Sequence, residues 1–377
     1  MPENPRLTTP RGSWSFAELS ADPFRLLDRA TKLGLLRING DKSEEIVSAI
    51  LSLDGKAPVV FLGGSNVKTR PDVVKETQWG FMTSGSTGKP KHVFHTLKAI
   101  SRRIPPRPSS NANWAFLTDI SRMAGFQVVL EAVVRGESLS IPDQGSSMFE
   151  KIDFLTANNV THISATPSQF RQLLGSTKAA SISLKQITLG GEIADQKILD
   201  GLHSVFPKAR ITHVYATTET GPVFAVSDGQ EGFPEAQLEK SGNRVILSNT
   251  FELGILSRNN GDVFWTGDLV QKANGRYKFV GRNSEVINVG GAKVFPATVE
   301  AVILSHQDVQ DCIVRGEKNS ILGHLVVAEI SLHRNSDSII PELQKICRER
   351  LPNYSVPRKF NVVDEITYSN LGKKIRR

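Results

Sequence analysis

Short apolar runs alternate with stretches of helical spacing along most of the chain, and this pattern predicts its fold. From Val59 onward the apolar runs are rich in β-branched and aromatic residues, which is typical of strands. Strand–helix alternation predicts an α/β architecture with a largely parallel sheet. The predicted strands are 59–64, 79–82, 92–96, 114–118, 138–142, 161–166, 187–191 and 211–216, and the predicted helices are 97–104, 123–136, 147–158, 167–176 and 194–205.

The flanking regions follow other patterns. The first 58 residues combine a proline-rich start with helical patterning at 23–36 and 43–53. Helices fade between about 222 and 280, which predicts a β-rich subdomain, and a glycine-ended hinge is expected at 283–291. The rest predicts a small, mobile α+β domain, with helices at 296–305 and 338–350 and strands at 312–316, 325–330 and 360–363. We therefore predict a large domain over 1–282 and a small domain over 283–377.

The composition is that of an ordinary globular protein and excludes several classes. The chain has 377 residues, which is long enough for two domains. Of these residues 39% are hydrophobic and 22% are charged, as in ordinary globular proteins. No run of about 18 apolar residues occurs, so no membrane span is expected. The first residues lack the apolar segment of a secretory signal. With Cys312 and Cys347 as the two cysteines, neither a disulfide framework nor a zinc site is expected, and a cytoplasmic location is predicted.

The formal charge of +8 raises the question of a nucleic-acid partner. The basic residues are dispersed, apart from the final run GKKIRR, and they are not interleaved with aromatic residues. Attraction to a nucleotide or to an acidic carrier protein explains the excess equally well. No nucleic-acid partner is therefore expected.

The most informative stretch is 83–91, TSGSTGKPK. Its glycines let the backbone curl so that several N–H groups point at one anion, while four hydroxyls and two lysines add donors and positive charge. The alternative is a solvated Gly/Ser linker, but such linkers seldom end in Gly-Lys-Pro-Lys, and strand-like runs flank this one. A Walker A loop is excluded because Thr83 replaces its first glycine and Pro90 follows Lys89. The stretch predicts a phosphate-binding loop.

This loop resembles the phosphate-binding signature of the adenylate-forming superfamily, which includes acyl- and aryl-CoA ligases, peptide-synthetase adenylation domains and luciferases. Every fixed position of Ser/Thr-Ser-Gly-Ser/Thr-Thr-Gly-x-Pro-Lys is filled. The resemblance implies that the loop binds the β- and γ-phosphates of ATP, with Lys91 as the fixed catalytic lysine and Thr87 near Mg²⁺. The nucleotide-binding residues that it implies in this loop are Thr83, Ser84, Gly85, Ser86, Thr87 and Gly88.

A second motif, YATTE at 215–219, resembles the superfamily's Tyr-Gly-x-Thr-Glu motif. The resemblance implies that Tyr215 stacks on adenine, that Thr218 contacts the α-phosphate, and that Glu219 holds Mg²⁺. The alternative is a strand end followed by a helix cap, which Thr-Thr-Glu would serve well. Two further residues of this motif, Ala216 and Thr217, belong to the implied nucleotide site.

The sequence Gly190-Gly191-Glu192 resembles the wall beside adenine in the same superfamily, with Gly191 and Glu192 at the nucleotide and Gly190 at the substrate. Its independent weight is low because a Gly-Gly pair is common in turns.

Three motifs follow toward the C-terminus. In WTGDL, Asp268 would accept hydrogen bonds from the ribose hydroxyls, although an Asp after Gly is otherwise typical of turns.

The stretch FVGRNSEVINVGGAKVFPATVE resembles the superfamily's hinge, most closely that of short aryl-acid and o-succinylbenzoate CoA ligases. Arg282 would bind ribose or phosphate there. Gly290 and Gly291 would let a thiol arm approach. In SNLGKKIR, Lys373 would bridge the substrate carboxylate and the α-phosphate, whereas a basic tail is otherwise solvated.

The chain departs from the superfamily pattern in two informative ways. The phosphate loop begins at Thr83, far earlier than in full-length members, so the fold is expected to be truncated at the N-terminus. Where the superfamily typically has histidine, three residues before Gly125, this chain has Arg122. An arginine there would pair with a second acidic group, which predicts an aromatic or dicarboxylic acid as substrate, unless Arg122 faces solvent. The brevity is similar to that of short members in phenazine-antibiotic pathways, of the D-alanylgriseoluteic acid type.

Together the motifs imply an AMP-forming ligase that converts a carboxylic acid and ATP into an acyl-adenylate and pyrophosphate, and then transfers the acyl group. ATP or AMP and Mg²⁺ are implied as cofactors. CoA, phosphopantetheine, an amine or a carrier protein is left open as the acceptor. The alternative is a nucleotide-binding pseudo-enzyme or pathway partner, but a pure binder has little need of the terminal lysine. A shortened N-terminal region would expose a surface for pairing, which leaves a homodimer open.

Overall fold

The computed structural model describes residues 4–33, 35–57, 59–63, 76–83, 91–102, 104, 111–240, 245–256, 261–334 and 338–367. Their strands are β1 (Arg6–Thr9), β2 (Gly12–Ser15), β3 (Leu36–Ile38), β4 (Val59–Leu62), β5 (Gln78–Thr83), β6 (Lys91–His95), β7 (Asn113–Phe116), β8 (Ser138–Ser140), β9 (His162–Ala165), β10 (Gln186–Gly190), β11 (Arg210–Thr217), β12 (Gly221–Val226), β13 (Phe233–Pro234), β14 (Val245–Leu247), β15 (Glu252–Leu256), β16 (Val263–Ala273), β17 (Arg276–Arg282), β18 (Ile287–Val289), β19 (Ala292–Val294), β20 (Val309–Asn319), β21 (Gly323–Leu332) and β22 (Lys359–Val362). Their helices are α1 (Phe16–Ser20), α2 (Leu26–Leu33), α3 (Ser43–Ser52), α4 (Leu97–Ser101), α5 (Met123–Arg135), α6 (Met148–Ala157), α7 (Pro167–Leu174), α8 (Gln196–Val205), α9 (Ala236–Lys240), α10 (Pro296–Leu304) and α11 (Ile339–Arg350).

The chain divides into two compact units. The first comprises Met1–Thr166, Ser176–Gly191 and Val205–Ala225, and the second comprises Pro167–Gly175, Glu192–Ser204 and Val226–Arg377. The domain boundary predicted between residues 282 and 283 stays a prediction.

The first unit contains two sheets whose strands are mainly parallel, as predicted. The larger sheet has the order β12-β11-β10-β9-β7-β8-β1-β2, and the smaller has the order β3-β4-β5-β6. In the larger sheet β7, β9, β10 and β11 run parallel to one another. Because the carboxyl ends of parallel strands meet at one edge, the residues after β10 and β11 lie side by side. In the smaller sheet β6 returns antiparallel to β5.

An aromatic core holds β5 against α5. Trp79 and Phe81 of β5 are fully buried with Phe126 of α5, and the ring centroids lie 5.2 Å apart for Trp79–Phe126 and 5.0 Å apart for Phe81–Phe126. A side chain at Gly125 is excluded, because its Cβ would lie 2.2 Å from Cε1 of Phe116. Since protein interiors are close-packed, this core fixes the end of β5 relative to the start of α5.

The second unit contains two further sheets. The sheet β13-β17-β16-β15-β14 is antiparallel and confirms the predicted β-rich subdomain. The order β19-β18-β21-β20, with β22 beside β21, forms the other sheet. With α10 and α11 it confirms the predicted α+β fold of the C-terminal region, and its core includes Val299, Ile303 and Leu343.

Helix α8 is bonded to the segment that leads into β20 within the second unit. The ammonium group of Lys197 donates hydrogen bonds to the carbonyl oxygens of His306, at 2.7 Å, and Val309, at 3.3 Å. Burial lowers the pKa of Lys197, and the carboxylate of Asp195 acts in the opposite direction. Two charge-assisted hydrogen bonds therefore connect α8 to the C-terminal α+β fold.

The structure differs from the sequence prediction near the start, and it shows a hairpin turn in the region of the predicted hinge. The proline-rich start contains the hairpin β1–β2, and the helix predicted through Leu36 ends at Leu33. Strand β1 pairs with β8, which lies more than a hundred residues away, so a local sequence pattern could not predict this pairing. Within the expected hinge, β18 and β19 are joined by Gly290 and Gly291, with φ values of +56° and +86°. Two consecutive positive φ angles are required by this kind of tight hairpin turn.

A pair of glycines in the second unit supplies a stability test. Both have positive φ, +75° at Gly229 and +71° at Gly232, but only Gly232 has a neighbour in the way: a Cβ there would lie 2.2 Å from the carbonyl oxygen of Tyr277. Gly229→Ala is expected to cost about 1–2 kcal/mol because of the backbone conformation. Gly232→Ala is expected to cost about 1–3 kcal/mol more because of overpacking. Urea unfolding midpoints measure the difference, and equal midpoints would contradict the contact with Tyr277.

Candidate active site

The predicted phosphate loop starts and ends on a β-hairpin. Thr83 ends β5 and pairs with Lys91, the first residue of antiparallel β6. A strand follows the loop here, whereas a Walker A loop leads into a helix, so this architecture agrees with the exclusion of a P-loop from the sequence. The loop residues predicted to bind phosphate lie outside the described residues: Ser84, Gly85, Ser86, Thr87 and Gly88. Lys373 lies outside them as well.

The YATTE motif forms the end of β11 and a tight turn into β12. The Oγ1 atom of Thr217 accepts a hydrogen bond from the backbone N–H of Thr220 at 3.1 Å, which closes the turn. No helix begins here, so the helix-cap alternative is wrong. The ring of Tyr215 stacks on Phe224 with 5.2 Å between centroids. The turn exposes the side chain of Glu219, which can therefore reach a bound cation.

The Gly-Gly-Glu motif lies partly beside this turn. Gly190 ends β10 in register with Val214, the residue before Tyr215, and Gly191 follows with a φ of +81°. The structure thus brings the two glycines next to the YATTE motif. Glu192 is in the second unit, where its Oε2 atom accepts hydrogen bonds from the backbone N–H, at 3.0 Å, and the hydroxyl, at 2.7 Å, of Ser168. Its role beside adenine stays a prediction.

Asp268 and Arg282 meet in the second unit. They face each other across β16 and β17, and Nε of Arg282 donates to Oδ1 of Asp268 at 2.8 Å. The Asp268 side chain is 14% exposed, and that of Arg282 is 44% exposed. Gly267, with a φ of +76°, lies within β16 where its register shifts against β15, and it donates its backbone N–H to Oε1 of Glu252 at 2.9 Å. The structure therefore joins two residues that were predicted separately from motifs 14 residues apart.

Arg122 lies at the start of α5 and contacts the base of the phosphate loop. Its Nη1 atom donates to the carbonyl oxygen of Met82 at 2.9 Å, and its Nε lies 3.5 Å from Oδ2 of Asp119. Burial lowers the pKa of the Arg122 guanidinium, and Asp119 partly offsets this effect. The guanidinium thus binds the residue before Thr83, and pairing with a second acidic group of the substrate stays a prediction.

Replacing Arg122 by alanine separates these two roles. The guanidinium of Arg122 binds the Met82 carbonyl next to the predicted phosphate loop. We therefore expect Arg122→Ala to raise the KM for ATP about tenfold with every acid, which corresponds to the loss of one hydrogen bond to a charged group. A further, selective loss with diacids would identify Arg122 as a substrate ligand. An unchanged KM for ATP would contradict the anchoring role. Lys98→Ala, at an exposed position of α4, is the matched control.

An open cleft lies next to the Glu219 turn in the first unit. Most of its side chains are apolar, and none of the described lining residues carries a carboxylate, ammonium or guanidinium group. The lining residues are His95, Ala99, Ile100, Met123, Thr220, Gly221 and Pro222.

Sequence reasoning missed this cleft and His95, the ionisable residue among its described lining residues. Nε2 of His95 lies 2.7 Å from the carbonyl oxygen of Thr218, which joins β6 to the YATTE turn. Burial lowers the pKa of His95, whereas the Thr218 carbonyl and the Glu219 carboxylate act to raise it. The only signal in the sequence was a histidine at the end of the strand that follows the phosphate loop.

Two solved structures of CoA ligases share this fold. An anthranilate CoA ligase in complex with anthranoyl-AMP superimposes with a TM-score of 0.77 at 15% identity, covering 99% of this chain and 93% of that one. The o-succinylbenzoate CoA synthetase of Bacillus subtilis, with its acyl-adenylate intermediate, gives a TM-score of 0.66 at 20% identity, covering 100% and 95%. At these identities the likeness establishes the shared fold.

Sequence profiles establish the family. The profile described as AMP-binding enzyme matches residues 41–250, and the profile described as AMP-binding enzyme C-terminal domain matches residues 298–373. The chain therefore belongs to the AMP-binding enzyme family. Among its relatives is the 2-succinylbenzoate–CoA ligase of Bacillus velezensis, 27% identical over 94% of this chain and 78% of the relative. The ligase of the same name from Bacillus subtilis is 28% identical over 78% of this chain and 66% of the relative.

No helix among the described residues is long and apolar enough to cross a membrane.

Proposed function

We propose that this enzyme is an AMP-forming ligase that activates an aromatic carboxylic acid with ATP and passes the acyl group to a thiol. One observation supports the proposal: the turn after β11 and the start of β12 bring the predicted nucleotide contacts next to residues that line the cleft. Thr218 and Glu219 are the implied contacts of the α-phosphate and Mg²⁺, and Thr220, Gly221 and Pro222 line the cleft. A turn so built would hold the carboxyl group of the acid close to the phosphorus that it attacks.

The residues present suit Mg²⁺ bound together with a nucleotide. Among the described residues, no group of three or more His, Cys, Asp or Glu side chains could form a complete metal cage. Mg²⁺ is commonly held by one or two carboxylates together with substrate phosphates, and Glu219 on its exposed turn provides such a carboxylate. When bound, the ion would neutralise charge on the leaving pyrophosphate.

The proposed chemistry proceeds in two displacements. A carboxylate oxygen of the acid attacks the α-phosphorus of ATP; a carboxyl–phosphorus bond forms, and the bond to pyrophosphate breaks. By resemblance, Lys91 and Lys373 offset the negative charge of this transition state, as preorganised cations do. The thiol sulfur of the acceptor then attacks the acyl carbon, and AMP leaves.

An aromatic acid is favoured over an aliphatic dicarboxylic acid. None of the described lining residues of the cleft carries a carboxylate, ammonium or guanidinium group, so none of them would pair with a second carboxyl group of an acid. Arg122, the cation expected to bind a second carboxyl group, donates to the Met82 carbonyl instead. The dicarboxylic alternative stays open to the Arg122→Ala test.

CoA is the acceptor that we propose, because the relatives are named CoA ligases. A cytoplasmic location, where ATP and CoA are both available, is part of the same proposal. A phosphopantetheine carrier protein or an amine as acceptor, a homodimer and a role in antibiotic biosynthesis stay predictions.

Exchange of labelled pyrophosphate into ATP, measured across a panel of aryl and aliphatic acids, tests the proposed function. The expected result is acid-dependent exchange that requires Mg²⁺ and is fastest with aryl acids. Binding of ATP or AMP without exchange for any acid would overturn the proposal and favour the nucleotide-binding pseudo-enzyme.

A further inference from the structure

His95 connects the two elements of the first unit that are predicted to bind the nucleotide. It ends β6, the strand that begins at Lys91 after the predicted phosphate loop. Its Nε2 atom lies 2.7 Å from the carbonyl oxygen of Thr218, which belongs to the YATTE turn. A carbonyl oxygen only accepts hydrogen bonds, so Nε2 carries the hydrogen, as it can in both the neutral and the charged imidazole. The ring therefore donates to Thr218 in either state.

The acceptor belongs to the peptide group between Thr218 and Glu219. A peptide group is planar and includes the Cα atoms of both residues, so a bond to its oxygen constrains the orientation of the whole plane. The two side chains leave from these Cα atoms. Thr218 is the predicted contact of the α-phosphate, and Glu219 is the predicted carboxylate for Mg²⁺. The hydrogen bond from His95 therefore influences the position of both.

The bonds that close the turn do not involve this peptide. Oγ1 of Thr217 accepts a hydrogen bond from the N–H of Thr220 at 3.1 Å, and the two hydroxyl oxygens lie 2.9 Å apart. Both contacts join the ends of the turn. The middle peptide of a four-residue turn is where the classes of turn differ most, so its orientation needs a contact of its own. His95 supplies such a contact.

His95 is itself held on a well-supported part of the first unit. It pairs with Trp79 across the antiparallel strands β5 and β6, and its ring lies beside that of the fully buried Phe81, with 6.1 Å between centroids. The next residue, Thr96, accepts a hydrogen bond from the N–H of Ala99 at 3.1 Å and caps α4. A donor that is supported in this way can hold its partner at a defined position.

We propose that His95 is a positioning residue. By holding the peptide between Thr218 and Glu219, it sets the position of the predicted Mg²⁺ carboxylate relative to the hairpin that carries the phosphate loop. The inference rests on the proposed function and adds to its site a residue that neither nucleotide motif contains.

The test uses two amide side chains that differ in reach. The amide nitrogen of glutamine is as many bonds from Cβ as Nε2 of histidine, whereas that of asparagine is one bond closer. His95→Gln therefore keeps a donor for the Thr218 carbonyl, and the equally polar His95→Asn does not. We expect the kcat of pyrophosphate exchange to stay within about threefold in His95→Gln. In His95→Asn it should fall about 10- to 100-fold, the size of effect that a small displacement of a positioned group can have.

The dependence on Mg²⁺ identifies the residue through which His95 acts. In His95→Asn, the Mg²⁺ concentration for half-maximal exchange is expected to rise about tenfold, which corresponds to the loss of one well-made hydrogen bond. In the Glu219→Gln background the carboxylate is already absent, so His95→Asn should cause little further rise. Lys98→Ala, exposed on α4, is the control and is expected to leave both kcat and the Mg²⁺ requirement unchanged.

The outcomes separate this inference from the proposed function. Equal kcat values for His95→Gln and His95→Asn overturn the inference while the proposed function stands. A change confined to the KM for the acid also overturns it, since that result makes His95 only a wall of the cleft. A rise in the Mg²⁺ requirement that is the same with and without Glu219 does so too. Absence of exchange with every acid in the unchanged enzyme overturns both.

Discussion

Glu219→Gln is expected to lower the rate of acyl-adenylate formation by about 100- to 1,000-fold, the usual effect of removing one preorganised electrostatic group. Its carboxylate is exposed on the turn between β11 and β12, and glutamine keeps its shape while removing the charge that would hold Mg²⁺. Because the side chain is exposed, we expect no change in thermal stability. The measurement is pyrophosphate exchange as a function of Mg²⁺ concentration, with the thermal midpoint recorded in parallel.

Glu76→Gln is the control for this change, because Glu76 is another exposed glutamate of the first unit. It removes the same charge at a site that has no predicted role. A comparable loss in both variants would point to a general effect of net charge. Full activity of Glu219→Gln would contradict the assignment of Glu219 as the metal carboxylate.

Asp268→Asn is expected to raise the KM for ATP by about 10- to 100-fold, because two charged hydrogen bonds to the ribose hydroxyls would become neutral ones. The change should be smaller with 2′-deoxy-ATP, which lacks one of these hydroxyls. Steady-state kinetics with both nucleotides measures it. An equal effect on the two nucleotides would contradict direct contact between Asp268 and the ribose.

The ion pair with Arg282 offers a competing explanation, since asparagine would also weaken that pair. A double-mutant cycle of Asp268→Asn and Arg282→Ala separates the two explanations. If Asp268 acts only by holding Arg282, the double variant will be no worse than Arg282→Ala. If Asp268 binds the ribose itself, the double variant will lose more than either single variant.

Local sequence patterns predicted many of the strands and helices, because these elements depend on residues that are close together in the sequence. The period of apolar residues located β10, β11 and α5, and Gly190 and Gly191 were recognised at the end of β10. These features depend on residues within a few positions of one another, and their chemistry therefore appears in the sequence.

The contacts that the sequence did not predict join distant residues. Arg122 binds the carbonyl of Met82, 40 residues earlier, and His95 binds the carbonyl of Thr218, 123 residues later. Both acceptors are backbone atoms, so the identity of the partner residue carries no signal. The sequence analysis missed the hairpin β1–β2 for a related reason. Strand β1 also pairs with the distant strand β8, and this pairing leaves no signal in the local sequence.

If the C-terminal region rotates about residues 283–291, as the sequence predicts, the hydrogen bonds of Lys197 would oppose that rotation. Such a rotation would carry His306 and Val309 away from α8 and break both of the hydrogen bonds that Lys197 donates. At about 1.5–3 kcal/mol for each bond to a charged group, the rotated state would be a minor species without ligand. Substrates would then have to bind the rotated state more tightly than the resting one. Their observed affinity would be lower than their affinity for the rotated state, because part of the binding free energy would offset the cost of the rotation.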